Sequence, residues 1–303
     1  MISRFTHQGL TWIDLESPTR EELLTTSEEN NLHPVVSTEL LAPSERAKVD
    51  LYSNSIYLIL HFPITDKSTG HVTEVEVDFV LLKDKLITTH YELIEPLHEF
   101  AKQFEVGQYL ERGQSEIHAG YLFFFAVREL YKHTLYIVES VGKQIRDIEH
   151  HIFAGDEAEM VAQISKANRA LIDIKQSLRY HKETLRSLSQ ACKQLYGEQF
   201  GYYVSAIEGE YERVEQAAEE HRQTIRDLRE TNDSLLSSKT NSTIRRLTAI
   251  NVILFPLGFI SWVFAMHSKY LSLDDPRMLA AVFAGMALIV IVSTVYFRSK
   301  KWL

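Results

Sequence analysis

Two stretches near the C-terminal end, residues 247–266 and 279–297, each run about twenty residues without a charged side chain. That is the length an α-helix needs to cross a hydrocarbon layer of about 30 Å. A pair of buried core helices is the plainer alternative. In a chain with 24% charged residues, two such runs predict transmembrane helices instead. The flanks orient them. Lys239, Arg245 and Arg246 precede the first run, and Arg298, Lys300 and Lys301 follow the second; the connection 267–278 holds Lys269 and Arg277 against Asp274 and Asp275. The positive-inside rule then places both termini in the cytoplasm and the short connection outside, with Tyr296 and Trp302 as anchors at the inner face. The start, Met1-Ile2-Ser3-Arg4-Phe5-Thr6-His7, has no apolar signal core, so the expected location is the cell inner (plasma) membrane, with the soluble part cytoplasmic.

Upstream of the spans there is room for a soluble domain of more than about 200 residues. Residues 10–15 alternate as a strand, and Ser17-Pro18-Thr19 followed by Glu21 and Glu22 opens a helix. Residues 47–51, 55–63, 72–83 and 86–90 are runs rich in Val, Ile, Tyr and Phe. Asp66-Lys67-Ser68-Thr69-Gly70 and Lys83-Asp84-Lys85 separate them as turns, which predicts an antiparallel sheet. From Ile94 the period becomes helical. One helix is expected to end at Ala154-Gly155-Asp156, a second to cover 157–195, and a third to start near Tyr202 and meet no break before Pro256. Its inward positions run Val204, Ile207, Tyr211, Val214, Ala218, His221, Ile225, Leu228 and Leu235. Continued over 202–267 that helix would span roughly 100 Å, a stalk passing from water into lipid. The expected division is an α/β domain over 1–116, long helices including the stalk over 117–246, and a two-helix membrane module over 247–303.

Several functions are disfavoured. A net charge of −9 leaves no surplus of Lys and Arg for nucleic-acid phosphates. One cysteine, Cys192, allows neither a disulfide framework nor a thiolate cluster within a chain. No phosphate-cradling glycine loop, nucleophile elbow or zinc-protease helix is present. The chain is therefore not expected to be an enzyme, to carry a cofactor or to use ATP. The pair His150-His151 lies near Asp147, Glu149, Asp156, Glu157 and Glu159. Adjacent residues project about 100° apart on a helix, so a solvated acidic tip is the better reading than a cation sensor. Glu208, Glu210, Glu212, Glu215, Glu219 and Glu220 either enrich cations near the stalk or form its wet face, paired with Arg213 and Arg222.

The first span carries polar and small residues that packing alone does not need. Asn241, Thr248, Asn251, Gly258 and, less closely, Ser261 fall toward one side, with Ile244, Phe255 and Trp262 along the same stripe. Polar groups in a membrane face protein or water. A stripe of amide and hydroxyl oxygens alternating with apolar constrictions suits the path of a hydrated cation; close helix packing through small residues is the alternative. Two spans cannot enclose an aqueous path, so conduction requires a cyclic homo-oligomer. Pro256 is either a hinge or a tolerated irregularity.

Residues 241–303 resemble the membrane module of the CorA family of magnesium and cobalt transporters. Asn241 stands at the cytoplasmic mouth, Leu247-Thr248 opens the first span, Phe255-Pro256-Leu257 and Phe259-Ile260 follow, and Lys300-Lys301-Trp302-Leu303 closes the chain. Upstream, Lys48-Val49-Asp50, Leu60-His61-Phe62-Pro63 and Leu86-Ile87-Thr88-Thr89-His90 look like that family's cytoplasmic sheet. The resemblance implies a homopentamer with an α/β funnel, axial stalk helices and the second span outside the first, moving Mg²⁺, Co²⁺ or Zn²⁺. One position departs from the pattern. The family's Gly-Met-Asn at the outer end of the first span is here Ala265-Met266-His267. The family's Asn suits an ion that keeps its water, as Mg²⁺ does; a His267 ring instead offers imidazole to Zn²⁺ or a similar metal and would repel cations once protonated. His267 as a simple helix cap is the alternative, and a non-conducting scaffold or sensor is the competing function.

Overall fold

A computed structural model describes residues 1–44, 46–66, 69–105, 118–265 and 276–300. It divides into two units, Met1–Leu228 and Arg229–Leu303.

The first unit is built on a six-stranded sheet in the order β1-β2-β6-β5-β4-β3. Its strands are β1 (Ile2–His7), β2 (Leu10–Glu16), β3 (Lys48–Leu51), β4 (Ile56–Thr65), β5 (Val72–Leu81) and β6 (Lys85–His90). β3 to β6 form the antiparallel meander that the turn signals predict. The sheet as a whole is mixed, because β2 pairs parallel with β6, which corrects the all-antiparallel expectation. Tight turns dictate the meander, but β2 reaches its partner only after the chain has crossed to the far edge through α1 (Arg20–Glu29) and α2 (Pro34–Glu39). Parallel strands need such a crossover, and no local signal announces which strand closes it. β1 went unpredicted, although its signal is visible: Gln8 (φ 49°) and Gly9 (φ 83°) form a two-residue hairpin turn with both φ positive, a geometry suited to tight hairpins.

The central strand β4 is buried from Ile56 to Pro63, so it reads as a continuous apolar run rather than an alternation. One face of the sheet packs Ile13, Leu15, Tyr57, Ile59, Val80 and Ile87 with Leu23 of α1 and Val36 of α2. α1 starts on a capping box in which the Thr19 side chain and Glu22 satisfy each other's backbone N–H groups. The opposite face meets the long helices: Trp12 lies 5.0 Å from Phe100 of α3 (Glu95–Glu105) and Phe79 lies 5.3 Å from Phe123 of α4 (Gly120–Ala154).

α4 follows its period closely, burying Leu130, Ile145, Ile148 and Ile152 and ending where Gly155 takes φ 109°. The expected second helix is interrupted. It divides into α5 (Glu157–Ser177) and α6 (His181–Tyr196), with a turn over 178–180 that contains neither Gly nor Pro. The break brings His181 into the core. Its Nε2–H donates to the His61 carbonyl at 2.7 Å, and its Nδ1 accepts from the Tyr131 hydroxyl at 2.6 Å. Burial disfavours the imidazolium and pushes the His181 pKa down to about 3. The third helix, α7 (Gly201–Ala265), buries Val204, Ile207, Tyr211, Val214, Ala218, Ile225 and Leu228 as the periodicity requires. α4 and α7 approach closely in this unit: a Cβ on Gly142 would collide with the imidazole ring of His221.

A second buried histidine holds a loop to the sheet. His61 on β4 and Glu76 on β5 are directly opposite each other. His61 Nε2 donates to the Ser44 carbonyl at 2.9 Å, and Glu76 accepts the Ser44 N–H at 2.6 Å, so the pair grips both sides of one residue's backbone. Burial opposes the His61 cation, but the Glu76 carboxylate and the Ser44 carbonyl outweigh it and raise the pKa above the ordinary 6.5.

Two predictions follow from these buried groups, both for the full chain in detergent. Tyr131→Phe leaves the His181 Nδ1 unpaired and costs about 1–3 kcal/mol in chemical unfolding; a change within error would show that the bond contributes nothing. Because the folded-state pKa of His61 is raised, its contribution to stability is full below pH 6.5 and is lost as pH rises through the folded value. Glu76→Gln should reduce that pH dependence, and identical profiles for variant and wild type would contradict the assignment.

Candidate functional site

The second unit contains residues 229–265 of α7 and helix α8 (Pro276–Ser299). Both helices are long and apolar enough to cross a membrane. α7 remains helical through Pro256. Proline lacks an N–H, so the Val252 carbonyl loses its helical donor at that point.

Burial in this unit separates two faces of α7. Ala249 is fully buried, and Ile253, Pro256, Leu257, Ile260 and Val263 are partly shielded. On α8 the shielded positions centre on Val282, Met286, Ile289, Val290, Ser293 and Phe297. Each set recurs at three- and four-residue steps, as expected of one face of a helix. Ala249 and Phe297 are the most buried members, so they mark the same end of the seam between the two helices.

The sequence-predicted stripe lies on the other side. At 100° per residue its centre is roughly 150° from the centre of the shielded face. Asn241, Ile244, Thr248, Asn251, Phe255, Gly258 and Trp262 are all exposed in the single chain, Phe255 to 78%. The fold thus brings these seven residues onto one face free of α8. Pro256 is on the α8 side and is not part of the stripe. Ala265 is the last residue of α7; Met266 and His267, including the proposed metal ligand, lie outside the described residues.

The hydroxyls have a defined orientation. Thr248 Oγ1 donates to the Ile244 carbonyl at 2.8 Å, and Ser261 donates to Leu257 at 2.9 Å. Each spends its single proton on its own helix. What Thr248 presents outward is oxygen lone pairs, which attract a cation or the water around it. Asn251 adds an amide that offers both an acceptor and donors.

The cytoplasmic-type candidates are placed less favourably. His150 and His151 are at least partly exposed, and His151 Nδ1 donates to the Asp147 carbonyl at 2.9 Å on its own helix. Among the described residues no group of three or more His, Cys, Asp or Glu side chains is arranged to hold a metal ion. Glu210 pairs with Arg213 and Glu219 with Lys175, Arg222 and Arg226, which favours the reading of that acidic run as a solvated face. Cys192 is buried, and burial pushes its thiol up to about 12, so it is a packing residue.

The family model for CorA-like Mg²⁺ transporter proteins matches residues 7–301. The chain belongs to the CorA-like transporter family. It is a family of divalent-metal transporters rather than enzymes, and its members are membrane proteins. Among curated relatives, the cobalt/magnesium transport protein CorA of Thermotoga maritima is 23% identical over 97% of this chain and 83% of its own length. The solved structure of the CorA magnesium transporter from Methanocaldococcus jannaschii superposes with a TM-score of 0.83 at 19% identity, covering 99% of this chain and 93% of that one. The cytoplasmic domain of ZntB from Vibrio parahaemolyticus matches with a TM-score of 0.61 at 14% identity over 77% of this chain and 90% of that one. The CorA-like fold is therefore shared from the sheet to the last span.

Sequence reasoning found the polar face of the CorA-like span but not the seam opposite it. The signal was present in the apolar residues, where position 249 holds the small Ala needed for close approach and positions 253, 257 and 260 repeat its side. The two faces predict different chemical accessibility. In a Cys192→Ala background, assembled protein carrying Thr248→Cys or Asn251→Cys should react with a hydrophilic thiol reagent, whereas Ile253→Cys and Ile260→Cys should stay unlabelled. Equal labelling on both faces would contradict the division.

Proposed function

We propose that this chain assembles as a homopentamer in which five copies of α7 line an aqueous path, and that a divalent cation moves along this path down its electrochemical gradient. The observation that carries the reading is the position of the polar stripe on the side of α7 opposite the α8 seam. A neighbouring copy or water must meet that side, because amides left facing acyl chains cost free energy. Asn241, Thr248 and Asn251 supply oxygen to the ion or its hydration shell, and Ile244, Phe255 and Trp262 form apolar constrictions between them. Both termini and the sheet-containing unit are cytoplasmic, in keeping with the basic flanks of the spans, and the membrane is the inner (plasma) membrane.

The transported ion is Mg²⁺, Co²⁺ or Zn²⁺. Magnesium and cobalt are named for the Thermotoga relative. The replacement of Asn by His267 at the outer mouth favours direct ligation of a borderline metal over capture of an intact Mg²⁺ hydration shell. The same departure supports a second reading, a non-conducting or altered-selectivity scaffold or sensor.

Flux of Mg²⁺, Co²⁺ and Zn²⁺ into liposomes containing verified pentamers separates the two readings. Asn251→Leu removes a ring of amides, and an interaction with a charged species worth about 1.5–3 kcal/mol predicts a loss of roughly 10- to 100-fold in flux. Absence of flux for every cation, or flux indifferent to this substitution, would favour the scaffold. His267→Asn should shift the ion preference toward Mg²⁺; an unchanged preference would remove His267 from the filter.

A further inference from the structure

Of the basic residues at the Ala249–Phe297 end of the spans, three fall toward the α7–α8 seam, whereas Arg298 falls on the far side of α8. At 100° per residue, Arg245 and Arg246 fall about 50° on either side of the centre of the α7 face that meets α8. Arg246 points well away from the Asn241–Thr248–Asn251 side, whereas Arg245 stands about 40° from Asn241, which lies one turn before it. Lys300 continues the last turn of α8, its N–H donating to the Tyr296 carbonyl at 3.2 Å, and falls within about 50° of the α8 seam. The buried pair Ala249 (0% exposed) and Phe297 (6%) fixes the depth. Arg245 and Arg246 stand one turn before Ala249, and Lys300 stands one turn after Phe297. Three cations therefore converge on one end of the α7–α8 seam.

Among the described residues of this unit nothing neutralises them. The chain has no Asp or Glu over 234–265 or 276–300. Among the described residues Arg246 and Lys300 have no side-chain partner, and Arg245 commits only its Nε, to the Asn241 carbonyl at 3.3 Å. Apolar surface adjoins the charges: Ile250 is 44% exposed one turn beyond Arg246, and Tyr296 is 57% exposed one turn before Lys300. Cations at the mouth of an apolar seam, level with the ends of two spans, match a molecule with an anionic head and hydrocarbon tails.

We infer that this end of the seam binds the phosphate headgroup of an anionic phospholipid, held by Arg245, Arg246 and Lys300, with one acyl chain along Ile250 and the other along Tyr296, which flank the seam on opposite sides. The inference rests on reading α7 and α8 as membrane spans. It gives the basic cluster a countercharge at the membrane surface.

The test is lipid retention by the full-length protein, purified from mixed micelles of phosphatidylglycerol and phosphatidylcholine and measured by native mass spectrometry. Wild type should retain phosphatidylglycerol in preference. Arg245→Gln/Arg246→Gln/Lys300→Gln should weaken that preference by about fivefold per charge, roughly 100-fold in all. The charge-matched control Lys166→Gln/Lys182→Gln/Arg186→Gln should retain it. Millimolar inorganic phosphate should fail to displace the lipid. Equal retention of the two lipids by wild type, an unaltered preference in the seam variant or an equal loss in the control would each overturn the proposal; displacement by inorganic phosphate would overturn the lipid as ligand. Retention is read without ion flux, so failure of this proposal is distinguishable from failure of the transport reading.

Discussion

An amide in a stretch of helix that has no charge for about twenty residues has few acceptable environments. In hydrocarbon it loses its hydrogen bonds to water, so it must meet another polar group or an aqueous lumen. Asn251 is in that position, and Thr248 is in a milder version of it, because its hydroxyl donates to its own helix. The apolar residues of α7 satisfy a different requirement by packing along the seam with α8. One helix thus serves two solvents and one protein neighbour, and the assignment of faces follows from which side chains each environment accepts.

The sheet-containing unit solves a related problem without a membrane. Its polar groups are buried in short hydrogen-bonded chains: Tyr131 to His181 to the His61 carbonyl, and Trp12 through Thr88 to Asp14. Each link crosses from one element to another, so the chains fix how α4, α6 and the strands sit together. A satisfied polar network in a low-dielectric core specifies geometry more sharply than apolar contact does, because a missing partner is costly. His181 and His61 show how far environment decides chemistry. The first is held neutral by burial, whereas the second keeps a raised pKa because a carboxylate lies beside it.

Charge is distributed with the same economy. The acidic run on the early part of α7 is partly matched by Arg213, Arg222 and Lys175, whereas the basic residues at the ends of the spans have no acid within their own helical segments. Unmatched cations beside an apolar seam belong at a membrane surface, where lipid phosphates supply the countercharge. Arg246 and Lys300 fall toward the seam side, and Arg245 lies between that side and Asn241, whose carbonyl it bonds.

Much of this was legible in the residues. The two spans, the breaks at Gly155 and after Tyr196, the inward face of α7 and the polar stripe were all set by periodicity and by the exclusion of charge, which are local properties of a chain. Three features were not. The parallel pairing of β2 with β6 joins strands separated by two helices and a three-stranded detour. The break between α5 and α6 has no Gly or Pro to mark it, and it sets His181 against Tyr131 and the sheet. The seam that divides the faces of α7 depends on α8, a helix apolar nearly all round whose own pattern does not say which side is covered. Sequence alone determined which segments are helix, strand or span, because those depend on near neighbours. Tertiary structure decided which faces meet, because that depends on contacts between residues far apart in the chain.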